Sequence, residues 1–318
     1  MSRGAALTGA LLATLATPAT WPMALAGFLL RGGLLLVVLP VVVLPSPVGL
    51  GNLLAPTLMT VVFGGVSVEV AVLLGLIVLA IVAWIGVGGL IAATLEAEAA
   101  RIVGRDEDLA RFHPADGIAG PRRGIAARIL AVRILAHGLT GAALLWGAVR
   151  LIALTYRELT SPFDVTTPIA LRVLRAAPEV IALIVVAWAF GEIVGGIAAR
   201  RIALGGTGVG RALRDALTVL ARHPLSILLG FWVPAAALAG VVIPSIVAGS
   251  TAWGIVRVAM RSSSDTIAGV LSVVLFVAIW MLGLVLIAVT CAWRAAVWSV
   301  ADRQLRERPF DPSLGRSG

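Results

Sequence analysis

Lysine is absent from this chain, and cysteine and tyrosine each occur once in 318 residues. Charge is thin as well: 13% of residues are Asp, Glu, Lys or Arg, against about 25% in a soluble globular domain. An ordinary soluble composition is therefore excluded. All 25 basic residues are arginine, which reads as the coding bias of a GC-rich genome rather than as mechanism. The lone Cys291 excludes an intrachain disulfide. With only His113, His137 and His223 beside it, scattered along the chain, no metal-ligand cluster can be assembled from sequence. There is no H-E-x-x-H, no G-x-S-x-G and no pair of aspartates in adjacent apolar runs, so an intramembrane hydrolase has little support. The expectation is a non-enzymatic protein with no catalytic residue, no metal and no cofactor.

What is present is apolar length. Hydrophobic residues make up 60% of the chain, and mean hydropathy is +1.04. A bilayer-crossing helix needs about 20 mainly apolar residues, whereas a barrel strand needs about 10 with strict alternation. The runs here are long and unalternating, so the fold class expected is all-α: a polytopic membrane protein of about six transmembrane helices in three hairpins, with interfacial amphipathic or re-entrant segments between them. The runs fall at about 24–45, 68–95, 129–156, 176–199, 224–247 and 266–293. Residues 46–67, broken by Gly and Pro and free of basic residues, read as re-entrant or interfacial, and 248–264 reads as a second interfacial segment. Residues 1–20 combine a thin positive start at Arg3 with an apolar stretch. They read as a short surface helix, with a signal peptide as the competing reading. Residues 200–223 read as a loop followed by an arginine-bearing amphipathic helix whose apolar side is spaced by Leu213, Leu217 and Leu220, a pattern suited to a membrane surface.

The division expected from this layout is a first hairpin unit with a cytoplasmic linker (1–127), a central charged hairpin (128–201), a third hairpin unit with its preceding amphipathic helix (202–300) and a polar tail (301–318). The first and third units invite superposition. Setting 84–103 on 280–299 matches Trp84 with Trp280 and six further residues, as a parallel duplication would. Three hairpins of this size are also the layout of mitochondrial carriers. Their P-x-[DE]-x-x-[KR] signature fails, since Pro162-Phe163-Asp164-Val165-Thr166-Thr167 lacks the basic residue.

Charge placement sets orientation. Nineteen arginines lie in 1–31, 94–135, 200–222 and the tail, and six lie in the segments between the alternate run ends. Basic residues concentrate on the cytoplasmic side, so both termini are expected in the cytoplasm of a bacterial inner membrane. The net charge of +9 then belongs to topology and to anionic lipid, and nucleic acid is not an expected partner. The expected partners are membrane lipids and other membrane subunits, or a second copy of the chain.

The central hairpin carries charges where charges are expensive. An ionised group near mid-membrane costs roughly 2.5–3.5 kcal/mol on insertion scales, so such groups pair or face a wet interior. In an antiparallel register His137 meets Glu192 and Arg150 meets Glu179. Thirteen residues turn a helix by about 220° net at 100° per residue, so only one pair can point straight across. His137–Glu192 is the favoured one, because Gly138, Gly141, Gly191 and Gly195 flank it and Gly191-x-x-x-Gly195 permits close helix approach. Arg150–Glu179 is the second candidate pair. The glycine-rich opening Gly206, Gly208, Gly210 with Arg211 is a possible lipid-phosphate contact at a helix start, although it matches neither dinucleotide nor Walker spacing. The function expected is a structural or accessory subunit of a membrane complex. The alternative is a small-solute or proton-coupled transporter with its site near His137 and Glu192.

Overall fold

The computed structural model describes residues 3–42, 65–109, 124–161, 167, 169–261 and 266–306. Among these every regular element is helical. In chain order they are α1 (Arg3–Ala16), α2 (Thr20–Phe28), a π turn (Leu29–Gly33), α3 (Leu34–Val38), α4 (Val68–Ala83), a second π turn (Trp84–Gly88), α5 (Gly89–Leu109), α6 (Ile125–Ala136), α7 (Gly138–Thr160), α8 (Ile169–Ala176), α9 (Pro178–Gly205), α10 (Val209–Arg222), α11 (Pro224–Arg261) and α12 (Thr266–Arg306).

Six helical stretches are long and apolar enough to cross a membrane: Thr20–Val38, Val68–Val103, Gly138–Glu158, Pro178–Gly205, Pro224–Arg261 and Ile267–Ser299. Their number matches the six runs of the sequence, but several boundaries differ. The first begins at Thr20, so Arg31 stands within it rather than near its start. The third begins at Gly138, because the run from 129 is cut at His137. Residues 248–261 are no separate interfacial segment: α11 continues through Pro234 and Pro244 to Arg261. A membrane helix tolerates proline where neighbouring groups satisfy the freed carbonyls. The expected re-entrant segment 46–67 lies almost wholly outside the described residues.

Two compact units form, each from segments distant in sequence. One comprises Met1–Ala13, Ala100–Val233 and Ala295–Gly318, the other Thr14–Ala99 and Pro234–Arg294.

The first unit is built on α9. Its N-terminal half buries the stripe Val180, Ala187 and Gly191, with Ile184 half-buried between them, and Ala189 beside it. From Ile193 to Arg200 it is buried on every side. Helix α6 lays Ile125, Ile129, Val132 and Ala136 toward the core, a spacing of three and four residues that keeps one face. Helix α7 does the same with Ala143, Gly147 and Leu154. A second small core joins Leu154 to Val173, Ala177 and Val180 and so docks α8. An ion pair, Arg172 Nη1 to Glu158 Oε2 at 3.1 Å, fixes α8 to the end of α7.

Helix α10 buries Ala212 and Ala216, while Leu217 is exposed. The leucines that mark its apolar side in sequence thus flank the contact, and the alanines make it. Small side chains let the two helix backbones come close. Arg201 Nη1 donates to Asp215 Oδ2 at 2.8 Å and ties α10 to α9.

In the second unit Val37, Leu238, Val242 and Ile287 form the core, with Leu25, Phe28 and Trp280 against it. Trp280 donates its indole N–H to the Val37 carbonyl at 3.2 Å. Helix α4 takes no part: residues 71–87 are all exposed.

Candidate functional site

The central feature of the first unit is a joint in the helix pair α6–α7. His137 has φ −89° and ψ 3°, outside the helical basin and in the sparsely populated bridge region. It ends α6 and begins α7. Its own N–H bonds the Arg133 carbonyl at 3.0 Å, and Gly141 N–H bonds the His137 carbonyl at 2.9 Å, so hydrogen bonding passes through the joint. The ring joins the same acceptor, since His137 Nδ1 also lies 2.9 Å from the Arg133 carbonyl oxygen. Side chains that bond nearby backbone in this way draw the chain out of regular helix.

Glu192 meets this joint from α9. Its Oε1 stands 3.3 Å from His137 Nε2 and its Oε2 3.7 Å from Arg133 Nη1. The Glu192 and Arg133 side chains are 17% and 14% exposed and His137 27%, so the trio is largely withdrawn from solvent, where ion pairs are screened least. Gly191 and Gly195 make room for it. A Cβ on Gly195 would stand 3.3 Å from Ala136 Cβ and 3.3 Å from Arg133 Cδ. Gly138 and Gly141 differ, because a Cβ on either meets nothing within 4 Å. The close approach on α7 is made instead by Gly147, whose Cβ would fall 2.8 Å from Val180 Cγ1. Its spacing from Ala143 and Leu154 was the available signal.

Arg150 and Glu179 also come together, with Nε to Oε1 at 3.6 Å, and both side chains are about half exposed, 49% and 47%. Helical rotation over thirteen residues lets only one pair point across the interface of two unbroken helices, and both form here for two reasons. The joint at His137 ends the continuous helical phase on which the argument depended. Arg150 then reaches Glu179, in the first turn of α9, along the open flank instead of across the interface.

Thr140, one turn beyond the joint, has its Oγ1 buried with no hydrogen-bond partner among the described residues.

The glycine-rich segment turns its carbonyls toward a cation of its own unit. Gly206 sits in the left-handed region at φ 63° and closes α9, and Gly208 precedes the first turn of α10. Arg128 Nη1 donates to the Gly206 carbonyl at 3.0 Å and lies 3.5 Å from that of Thr207. Gly210 and Arg211 are exposed on the first turn of α10.

A further charged break escaped the sequence reading. Arg31 and Gly32 interrupt the first apolar helix, Gly32 with φ 104°, and Arg31 is ion-paired with Glu96 of α5. Gly88, in the second π turn, approaches the Leu30 carbonyl. Each unit thus holds a glutamate facing a base at a broken helix. The Arg31-Gly32-Gly33 triplet inside an apolar run was the signal for this one.

Among the described residues no group of three His, Cys, Asp or Glu is placed to hold a metal ion. No protein-family model, curated protein or solved structure matches this chain.

Proposed function

We propose that the chain is a non-enzymatic, multi-pass structural or accessory subunit of a complex in a bacterial inner membrane, with both termini cytoplasmic. Helix α4 carries the proposal. Residues 71–87, which run from its first turn into the π turn after it, are apolar and all exposed, and among the described residues nothing covers them. Lipid tails are as apolar as leucine, so exposure to lipid costs no hydrophobic energy. Helices in membranes associate instead through close van der Waals contact at small residues. Ala71 and Gly75 stand one turn apart on α4 and offer such a surface. Its first turn carries a single acid, Glu69, so the occupant that fits is an apolar helix of another subunit. Native mass spectrometry after mild extraction tests this. Stoichiometric partner chains support the subunit reading, and a lone chain, monomeric or homo-oligomeric, overturns it.

One observation favours a second reading, a small-solute transporter. The broken helices at His137 and at Gly32 each bring a base to a glutamate, and interrupted helices are where transporter sites form. Flux in proteoliposomes that Glu192→Gln abolishes without loss of folding would support transport. Lost expression alone would place Glu192 in helix contact.

A further inference from the structure

The geometry at the joint points to a bound proton: we infer that His137 and Glu192 together hold one proton more than a neutral imidazole and an ionised carboxylate contain. The inference rests on which atoms face one another. His137 Nδ1 lies 2.9 Å from the carbonyl oxygen of Arg133. A carbonyl oxygen only accepts, so Nδ1 carries a hydrogen and donates it. In a neutral ring the other nitrogen, Nε2, is then a bare lone pair. That nitrogen lies 3.3 Å from Glu192 Oε1, and an ionised carboxylate is likewise acceptor-only. Two acceptors in a largely buried site repel. A hydrogen between them removes the conflict, whether it resides on Nε2 as imidazolium with carboxylate or on Oε1 as carboxylic acid with imidazole.

The surroundings define the site's charge. Arg133 Nη1, from α6, faces Glu192 Oε2 at 3.7 Å. On α9 the residues one turn either side of Glu192 are Trp188, Ala189, Gly195 and Gly196, and Arg200, two turns on, donates its Nη2 to the Ala295 carbonyl of α12 at 3.2 Å. On α7 Arg150 is engaged with Glu179, and on α10 Asp215 is engaged with Arg201. With its proton the trio of His137, Glu192 and Arg133 carries one net positive charge, and without it none. The proton departs to water and no other bond is made or broken. His137 is also the joint of α6 and α7, so release sets a lone pair against a carboxylate at the one non-helical residue between two helices. Proton occupancy and joint geometry are therefore linked. The inference does not depend on the subunit reading and holds for an assembled or a lone chain.

The test is nuclear magnetic resonance on the full chain in nanodiscs of phosphatidylethanolamine and phosphatidylglycerol. Histidine rings are labelled with ¹⁵N and glutamate carboxyls with ¹³C, and His113→Gln with His223→Gln leaves His137 as the single histidine. At neutral pH the expected spectrum shows a protonated Nδ1 plus one further proton, seen at Nε2 or as a protonated Glu192 carboxyl. A neutral ring with bare Nε2 beside an ionised Glu192 overturns the inference. So does a neutral ring with its proton on Nε2 and a bare Nδ1. Glu192→Gln supplies a second readout, because the glutamine amide donates to Nε2 and makes the extra proton unnecessary. The ring is then expected as the neutral Nδ1–H tautomer, and a doubly protonated ring in that variant would show that Glu192 is not the proton's partner. If the variant does not fold, the wild-type spectrum decides alone.

Discussion

Gly191 is seated against the joint at His137: a Cβ added to Gly191 would stand 3.0 Å from the Ala136 carbonyl oxygen and 3.0 Å from His137 Cδ2. The ring and the backbone carbonyl both border the missing side chain, so a methyl group there has to displace the joint itself. Gly191→Ala is expected to cost about 1–3 kcal/mol, the usual penalty for overfilling a close contact. Gly141→Ala is its control. No atom lies within 4 Å of that position, and alanine gains up to about 1 kcal/mol over glycine in a helix interior. Unfolding in detergent, followed by circular dichroism, should separate the two. Equal melting points would mean that the joint does not rest on Gly191.

The two charged pairs of this hairpin should differ in worth. Arg150–Glu179 is about half exposed on both sides, and pairs of that kind contribute about 0–1 kcal/mol. Arg150→Ala should therefore shift stability by no more than about 1 kcal/mol. Arg133→Ala leaves a largely buried carboxylate with one charged partner fewer and should cost on the order of 1–3 kcal/mol. The same unfolding assay ranks them, and a larger loss for Arg150→Ala would reverse the assignment of the inner pair.

Thr140 makes a prediction in the stabilising direction. A buried hydroxyl without a partner costs about 1–3 kcal/mol of desolvation. Valine has the same shape and no hydroxyl. Thr140→Val is expected to raise stability by about 1 kcal/mol, read as a higher melting temperature with unchanged helix content.

The arginine distribution predicts sidedness. With Cys291→Ser as background, single cysteines at Ser2→Cys and Ser317→Cys should react with a membrane-impermeant maleimide only when the cytoplasmic face is opened. Thr166→Cys should react from the outside. Labelling of positions 2 and 317 from opposite faces would require an odd number of spans and would overturn the reading of six.

Much of the helical framework was legible because apolar length and three-or-four spacing are written residue by residue. Val180, Ala187 and Gly191 show it on α9, and Ile125, Ile129 and Val132 on α6. The breaks at His137 and at Arg31–Gly32 were marked only by residue type, His137 in one run and the Arg31-Gly32-Gly33 triplet in the other. Each is a change of one or two backbone dihedrals that the surrounding apolar length does not record. The close contacts were read only in part for a related reason. Hydropathy marks which side of a helix is apolar, not which residues on that side are small enough to touch, so Leu217 stood out in sequence while Ala212 and Ala216 make the contact. Gly138 and Gly141 drew attention by type, whereas the glycine that meets α9 from α7 is Gly147. His137 and Glu192 were identifiable because charge inside apolar length is rare. The role of Arg133 in binding the same carboxylate depended on the joint that the sequence did not disclose.

Helix α4 has a consequence for the life of the protein in the cell. A segment that none of the described residues covers draws no stability from burial against them, so its order and its lifetime are lent by its surroundings. On the subunit reading, a newly made copy without its neighbour presents α4 bare to the proteases that patrol the membrane. The amount of this protein would then follow the supply of whatever covers α4 rather than the rate of its own synthesis.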